Sequence, residues 1–188
     1  MLKSGDEYLE SLRDGRRVFI GNEQVKDVTE HKAFRNAARS FAMIYDLKAD
    51  PEHRDVMSFE EEGELYSSYF LMPKTQDDLV KRMETHRRIA EWSHGLLGRS
   101  PDHVSSFVTG LAMKPKMFEE IGEGFGANIV NYYKYMRAND IFACYTVLPP
   151  QGARKPELYE REGMTVPTLR VTDEDDNGVT LNGMKMLG

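Results

Sequence analysis

Cysteine is almost missing from this chain, which has Cys144 as its one cysteine among 188 residues. A single cysteine excludes a disulfide framework within the chain, and it excludes any zinc or iron–sulfur site built from several of its own cysteines. It also fits a reducing compartment, where structural disulfides are rare. We therefore expect a cytoplasmic protein without a metal centre of its own.

Excess basic charge and long apolar runs are also missing. Lys and Arg number 25 against 31 Asp and Glu, which leaves a net charge of −6. An acidic chain lacks the basic surface that nucleic-acid-binding proteins need. No apolar run approaches the roughly 18 residues of a membrane span, and the N-terminus lacks the apolar core of a signal peptide. We expect neither nucleic acid nor a membrane as a partner.

The N-terminal region carries helix and hairpin signals. Ser4 and Glu7 have the spacing of a capping box, which predicts a short helix ending near residue 15. Residues 17–26 read as two strands around a Gly-Asn turn and predict a β-hairpin, with an extended arm as the alternative. Asp27 or Thr29 is then expected to cap a second helix, whose apolar residues recur at the helical spacing of three and four.

The middle of the chain predicts further helices. Thr75 is expected to cap a helix over residues 76–97, with Gly98 as its stop. The acidic run 60–62 indicates a solvated turn. Helices continue to about residue 137, with a break at the glycine-rich stretch 122–126.

From residue 139 onward the pattern changes to β. The runs "DIFACYTVL", "TVPTLRVT" and "VTLNGMKML" are rich in β-branched and aromatic residues and are separated by turn residues. The sequence thus predicts an α+β chain with a helical domain over 1–138 and the start of a β domain over 139–188. Two or three strands alone are marginal in water, so they must pack on the helices or belong to a larger sheet.

Part of the sequence near the C-terminus resembles a calcium loop. Asp173, Asp175, Asn177 and Gly178 match the first half of an EF-hand, but position 12, which should be glutamate, is Met184. Asn-Gly between two strands is also a hairpin signal. The hairpin is the better interpretation.

Two other short patterns have chemical and structural interpretations. Glu91-x-x-His94 is half of a di-iron motif, but the chain offers no second copy, so His94 is expected on the helix surface or in the core. The glycines of 122–126 lack the strand–turn–helix context of a dinucleotide-binding loop and are expected to break a helix.

Residues 98–103, "GRSPDH", lie where one predicted helix ends and the next begins. Ser100 is expected as the N-cap of the second helix, and Pro101 as its first residue. The free N–H groups of a helix start attract anions. Arg99 before the helix and His103 in its first turn would complete a pocket for a carboxylate, phosphate or phenolate. An ordinary helix junction remains the alternative.

A second candidate stretch covers residues 137–154. A predicted strand carries Tyr145 and Thr146 at its end, and a Pro-Pro turn follows. Gly152 would allow a ligand to approach the backbone closely, and Arg154 is placed to meet a phosphate. A surface turn is the alternative interpretation.

Together, "GRSPD", then "NDIFACYTVLPPQ" about 35 residues later, then "VTLNGMKML", resemble one family. This is the family of two-component aromatic monooxygenases that use reduced flavin, typified by the oxygenase component of 4-hydroxyphenylacetate 3-monooxygenase and including the pyoverdine-chromophore oxygenases. The resemblance spans the chain, including the N-terminal "SGDEYLESLRDGRRVFIGNEQVKDVTEHKAF". It implies an acyl-CoA-dehydrogenase-like fold, in which a helical N-terminal domain precedes a middle β-barrel and a helical bundle. The chain stops within the expected barrel, so we expect these 188 residues alone to be inactive and to bind FAD weakly.

The resemblance also implies an activity and its components. The enzyme would hydroxylate a phenol ortho to its hydroxyl, using O2 and FADH2, rather than FMN, from a separate flavin reductase. A homo-oligomer, dimeric or tetrameric, is expected. Arg99 would face the phenolic oxygen, with Ser100, Pro101, Asp102 and His103 beside it. The flavin would be lined by the residues Tyr145, Thr146, Val147, Gln151, Gly152, Ala153 and Arg154.

Two positions depart from the family pattern. His103 stands where the hydroxyphenylacetate enzymes have Tyr, and Tyr145 stands where they have His. The pair keeps an imidazole and a phenol but exchanges their places, so Arg99, His103 and Tyr145 form the expected catalytic set around one cavity. Two alternatives stay open, a flavin-dependent lyase like 4-hydroxybutyryl-CoA dehydratase and a helical binding or assembly module without activity.

Overall fold

A computed structural model describes residues 2–97, 100–176 and 178–187 of the chain. The chain folds into two compact units, Met1–Ala143 and Cys144–Gly188. We call them the helical unit and the C-terminal unit. The division lies five residues beyond the boundary expected from the sequence, because residues 139–143 pack with the helices.

The helical unit contains seven helices and two hairpins within its described residues. Its elements are α1 (Gly5–Ser11), β1 (Val18–Ile20), β2 (Glu23–Val25), α2 (Arg35–Ala49), α3 (Arg54–Met57), β3 (Ser58–Glu61), β4 (Glu64–Ser67), a 3-10 turn (Ser68–Phe70), α4 (Gln76–Trp92), α5 (Asp102–Ala112), α6 (Pro115–Glu119) and α7 (Phe125–Ala138). Strands β1 and β2 pair antiparallel, as do β3 and β4.

The predicted capping box at Ser4 is present, and Thr75 caps α4 as predicted. Ser4 Oγ accepts from the Glu7 N–H while Glu7 accepts from the Ser4 N–H, and Thr75 and Asp78 repeat this arrangement at α4. Each box satisfies two helix-end donors that have no partner inside the helix. Both helices therefore begin where the sequence predicts.

The predicted cap of α2 is wrong. This helix begins at Arg35 without a side-chain cap. Asp27 instead accepts from Thr29 and from the Arg13 guanidinium, which also donates to Thr29 Oγ1. Asp27 and Thr29 therefore join the end of α1 to the β1–β2 hairpin, because Arg13 offers them a charged partner that a helix end does not.

In the helical unit, two further element boundaries differ from the prediction and one agrees with it. Helix α4 ends at Trp92 rather than at residue 97, because His94 and Gly95 take positive φ values of 51° and 72°. Glu60 and Glu61 belong to β3, and the turn lies at Glu62 and Gly63. The glycine-rich stretch breaks the helix as predicted, at Gly124 with φ 80°.

The core of the helical unit joins most of its elements. Its buried residues are Ile44, Met57, Phe59, Tyr69, Phe70, Ile89, Val108, Ala112, Tyr133 and Met136. A smaller cluster of Tyr8, Ala42 and Tyr45 packs α1 on α2. Burial of these apolar side chains supplies the main driving force for folding this unit.

The C-terminal unit is smaller and more exposed. It contains a 3-10 turn (Gln151–Arg154), α8 (Pro156–Arg161), β5 (Arg170–Asp175) and β6 (Gly178–Asn182). Strands β5 and β6 form an antiparallel hairpin, with Asp175 opposite Gly178. None of its described residues is fully buried.

The expected strand over "DIFACYTVL" is wrong. Residues 141–147 are not in a strand, and one isolated bridge pairs Leu148 with Met186. Ile141 and Ala143 instead pack against the helical core. A strand needs a neighbour for its backbone groups, and the core contact takes its place over 141–143. The sequence also gave no sign of α8.

No helix within the described ranges has the length and apolar character needed to cross a membrane.

Candidate active site

The candidate site begins at the turn between α4 and α5. Gly98 and Arg99 lie outside the described residues. Helix α5 starts at Asp102 with Pro101 as its cap residue, so it begins one residue later than predicted. The Ser100 hydroxyl does not cap the helix, because it donates to the Asp102 carboxylate. The expected Ser100 cap is therefore wrong.

Asp102 is the centre of the hydrogen bonds at this turn. One carboxylate oxygen accepts from Ser100 Oγ and the other from His86 Nδ1 on α4. Burial favours the neutral acid, but the bonds from His86 and Ser100 outweigh it and lower the pKa of Asp102 below its ordinary 3.8. Asp102 is thus an anion at the positive end of α5.

His103 follows in the first turn of α5 and is half-buried. Its ring packs edge-on against Phe107 at 5.0 Å between centroids, and its backbone N–H donates to the Ser100 carbonyl at 3.1 Å. The side chain is therefore held near the helix start. Its role as an acid or base stays a prediction.

Helix α4 holds α5 through two side chains one turn apart. Arg82 Nη2 donates to Ser106 Oγ at 2.8 Å, while His86 bonds to Asp102. Arg82 Nη1 also donates to the carbonyls of Tyr69 and Leu71 at 2.9 and 2.6 Å. These bonds fix the start of α5 against α4.

The second predicted stretch lies in the C-terminal unit. Tyr145 is half-buried, while Thr146 and Val147 are exposed. The Val147 carbonyl accepts from Lys185 Nζ at 3.2 Å, and Leu148 pairs with Met186. The chain after Val147 is therefore held by the segment that follows β6.

A cavity of about 370 Å³ lies beside the 3-10 turn of this unit. Its lining residues are Gln151, Gly152, Arg154, Lys155, Leu158, Tyr159, Glu162 and Met164. A Cβ at Gly152 would lie 2.0 Å from the Tyr159 hydroxyl. Contact with Tyr159 therefore requires a glycine at this position, and the close approach of a ligand to Gly152 stays a prediction.

The structure brings together part of the predicted set. Ser100, Pro101, Asp102 and His103 lie at one turn of the helical unit. Gln151, Gly152 and Arg154 line one cavity of the C-terminal unit, while half-buried Ala153 lies in the same 3-10 turn. A single cavity shared by Arg99, His103 and Tyr145 stays a prediction.

Two pairs of polar residues in the structure were not predicted from the sequence. His86 and Arg82 approach the α5 start from α4, and no spacing rule connects residues 16 apart across a turn. Lys48 and Asp140 form an ion pair with side chains only 0% and 1% exposed. Lys48 continues the buried face of Ile44 and Tyr45 at helical spacing, which was an available signal.

The Lys48–Asp140 pair has further partners. Lys48 Nζ donates to Tyr69 OH at 3.0 Å and lies 3.6 Å from the centre of the Tyr45 ring. Asp140 also accepts from Ser67 Oγ and from the Lys3 N–H at 3.1 Å. Burial, opposed by the attraction to Asp140, lowers the pKa of Lys48 to about 8. The cluster fixes the chain just after α7.

The sequence patterns that resemble a calcium loop, a di-iron motif and a dinucleotide-binding loop lie in ordinary structural elements. Asp173 and Asp175 lie in β5 of the hairpin, and His94 is exposed at a helix end. Glu119 accepts from the N–H groups of Gly124 and Gly126. Among the described residues, no group of three His, Cys, Asp or Glu side chains is placed to hold a metal ion.

Comparison with known proteins gives a match along the whole chain. Residues 4–188 match the family described as "4-hydroxyphenylacetate 3-hydroxylase N terminal". The chain is 34% identical to the 4-hydroxyphenylacetate 3-monooxygenase oxygenase component of Geobacillus sp. over 98% of its length, and 33% identical to that of Thermus thermophilus over 99%. It spans 37% and 38% of these relatives, respectively.

Solved structures agree with this match. An oxygenase component (HpaB) of 4-hydroxyphenylacetate 3-monooxygenase, crystallised with FAD and 4-hydroxyphenylacetate, superimposes with a TM-score of 0.84 at 33% identity. The match covers 98% of this chain and 38% of that one. An archaeal 4-hydroxybutyryl-CoA dehydratase from N. maritimus gives a TM-score of 0.75 at 21% identity, covering 98% of this chain and 37% of that one, which shows a shared fold alone.

The sequence match over residues 4–188, together with the identity to full-length relatives, settles the family. The chain belongs to the 4-hydroxyphenylacetate 3-hydroxylase family and corresponds to its N-terminal part.

Proposed function

We propose that this chain forms the phenol-recognising N-terminal part of a flavin-dependent aromatic monooxygenase. The enzyme hydroxylates a phenol ortho to its hydroxyl with O2 and with reduced FAD from a separate reductase. The observation that carries the proposal is the family match over residues 4–188, which includes the polar turn at the start of α5. The helical unit then precedes a middle β-barrel to which the β5–β6 hairpin belongs.

The turn at α5 suits a phenolic ligand. Hydrogen bonds from His86 and Ser100 stabilise the Asp102 anion and keep its oxygens directed at these two donors. Arg99 places a permanent cation beside the phenolic oxygen, which lowers the pKa of a bound phenol. A phenolate has more electron density at its ortho carbon than a phenol has.

His103 is the acid–base group of the proposal. It lies in the first turn of α5, packed against Phe107. An imidazole at hydrogen-bonding distance from a phenol can take its proton as the oxygen atom is transferred. Tyr145 is proposed to face the same ligand from the other side, in keeping with the exchanged pair.

The C-terminal unit offers groups suited to FAD. Its cavity combines the apolar side chains of Leu158, Tyr159 and Met164 with the cations Arg154 and Lys155. Such a wall fits a ligand with a flat ring and anionic phosphates. We propose that Tyr145, Thr146 and Val147 line the ring, and that residues 151–154 contribute further contacts. When bound, reduced FAD supplies the electrons that activate O2.

Product analysis tests this function. The complete oxygenase is mixed with reduced FAD, ¹⁸O-labelled O2 and 4-hydroxyphenylacetate, and the products are read by mass spectrometry. We expect an ortho-dihydroxy product that carries one labelled oxygen. FAD binding without hydroxylation of any member of a phenol panel would contradict the monooxygenase. No FAD binding at all would favour a non-catalytic module.

A further inference from the structure

His86 approaches the start of α5 from outside the predicted motif. It lies on α4, with its side chain 39% exposed, and bonds to Asp102, whose side chain is 13% exposed. Asp102 in turn holds the Ser100 hydroxyl. The three side chains form a chain of hydrogen bonds from the surface of α4 to the residue that follows Arg99.

This series of hydrogen bonds determines how the turn at residues 100–103 is oriented. An ionised carboxylate accepts hydrogen bonds only, so both oxygens of Asp102 are fixed by donors, one on each side of the turn. Charge-assisted bonds of this kind are stronger than bonds between neutral groups. Removing the His86 donor leaves Asp102 with one fixed oxygen, and the carboxylate is then able to rotate.

A proton relay along the same chain is much less favourable. Asp102 is a weaker base than an ordinary aspartate. A phenol has an ordinary pKa of about 10, far above that of a carboxylic acid, so transfer of its proton to Asp102 is strongly unfavourable. The role of the chain is therefore geometric.

We propose that His86, acting through Asp102, is a positioning residue that holds residues 100–103 where they recognise the hydroxyl of a phenolic ligand. This inference rests on the proposed function. The packing of α4 on α5 continues without His86, because Arg82 keeps its bonds to Ser106, Tyr69 and Leu71. Loss of His86 therefore affects the turn more than the fold.

Two substitutions separate the hydrogen bond from the rest of the imidazole. His86→Ala removes the donor to Asp102. His86→Asn keeps an N–H donor near the position of Nδ1 but has no ring. His94→Asn is the matched control, because His94 is exposed at the end of the same helix and has a positive φ that asparagine tolerates.

The measurement is hydroxyl recognition by the complete oxygenase with FAD bound. Dissociation constants are obtained for 4-hydroxyphenylacetate and for 4-fluorophenylacetate, which is of similar size but has no hydroxyl. We expect His86→Ala to reduce the preference for the hydroxyl compound by roughly five- to tenfold, since a hydrogen bond contributes about 1 kcal/mol. His86→Asn should restore most of the preference, and His94→Asn should leave it unchanged.

The outcomes distinguish this inference from the proposed function. An unchanged preference in His86→Ala, or an equal loss for both ligands with a lower melting temperature, overturns the positioning role alone. Failure of the unaltered enzyme to bind either ligand removes the phenol site, and the positioning role with it. A loss in His86→Ala that His86→Asn does not restore shows that the hydrogen bond to Asp102 is not the cause.

Discussion

The two units of this chain differ in how their structure is supported. The helical unit buries ten core residues in one cluster and a charged pair beside it, whereas the C-terminal unit has no fully buried residue among those described. In the first unit, packing and hydrogen bonds determine each position. In the second, residues such as Val179 and Leu181 are 54% and 55% exposed on an isolated hairpin. Substitutions should therefore lower the free energy of unfolding much more in the helical unit than in the C-terminal unit.

The largest difference should come from charged residues. Asp140→Ala leaves the buried Lys48 ammonium without its carboxylate, which we expect to lower the free energy of unfolding by about 3–5 kcal/mol. Lys185→Ala in the C-terminal unit removes one exposed bond to a carbonyl and should cost less than about 0.5 kcal/mol. Urea unfolding followed by Trp92 fluorescence and circular dichroism measures both. Similar losses would show that the pair is not desolvated as described.

A pair of methionines gives the same comparison for apolar packing. Met57 is 0% exposed and Met184 is 54% exposed. Met57→Ala should cost about 2–4 kcal/mol because it opens a cavity in the core. Met184→Ala should cost less than about 0.5 kcal/mol. If Met184→Ala were the more costly of the two in the same unfolding experiment, the C-terminal unit would have a core of its own.

The helical unit should also show a pH dependence that comes from Lys48. Burial lowers the pKa of Lys48 from 10.5 to about 8. Between these values the unfolded chain keeps the proton that the folded chain has lost, so stability rises with pH. The stability of the unaltered chain relative to Lys48→Met should increase by on the order of 1–2 kcal/mol from about pH 8 to about pH 10. A difference that stays level with pH would argue against a buried ammonium.

Helix caps give the smallest contrast. Thr75 accepts from the Asp78 N–H at the start of α4, whereas Lys155 at the start of α8 makes no side-chain cap. Thr75→Ala should cost about 1 kcal/mol, and Lys155→Ala close to nothing. Thermal unfolding by circular dichroism resolves the two. Equal costs would mean that the capping box contributes little to α4.

The sequence predicted best what depends on neighbouring residues. Local patterns predicted the capping box at Ser4, the cap at Thr75, the β1–β2 hairpin and the break at Gly124, and the structure confirms them. The strand expected over residues 140–148 is wrong because Ile141 packs on the helical core, a contact distant in sequence. Local periodicity carries no information about such contacts.

The residues of the candidate site also differ in whether local sequence could predict them. The motif at residues 99–103 was found from a helix start and a family resemblance, and the structure keeps Ser100, Asp102 and His103 at one turn. The bond of His86 to Asp102 could be found only in the fold, since the two residues are far apart along the chain. Lys48 lies on the buried face of its helix, but its partner Asp140 was also visible only in the fold. The contact of Gly152 with Tyr159 could not be predicted either, because it depends on how the 3-10 turn packs on α8.

The most direct test of the account concerns Arg99, the cation proposed to face the phenol. In the complete oxygenase with reduced FAD and O2, the measured quantity is the amount of hydroxylated product formed per FADH2 consumed. Arg99→Ala should lower this ratio by about tenfold or more, since a hydrogen bond to a charged group is worth about 1.5–3 kcal/mol. The rate of O2 consumption should stay within about twofold of the unaltered enzyme. A ratio equal to that of the unaltered enzyme would contradict a phenol site at the α4–α5 turn.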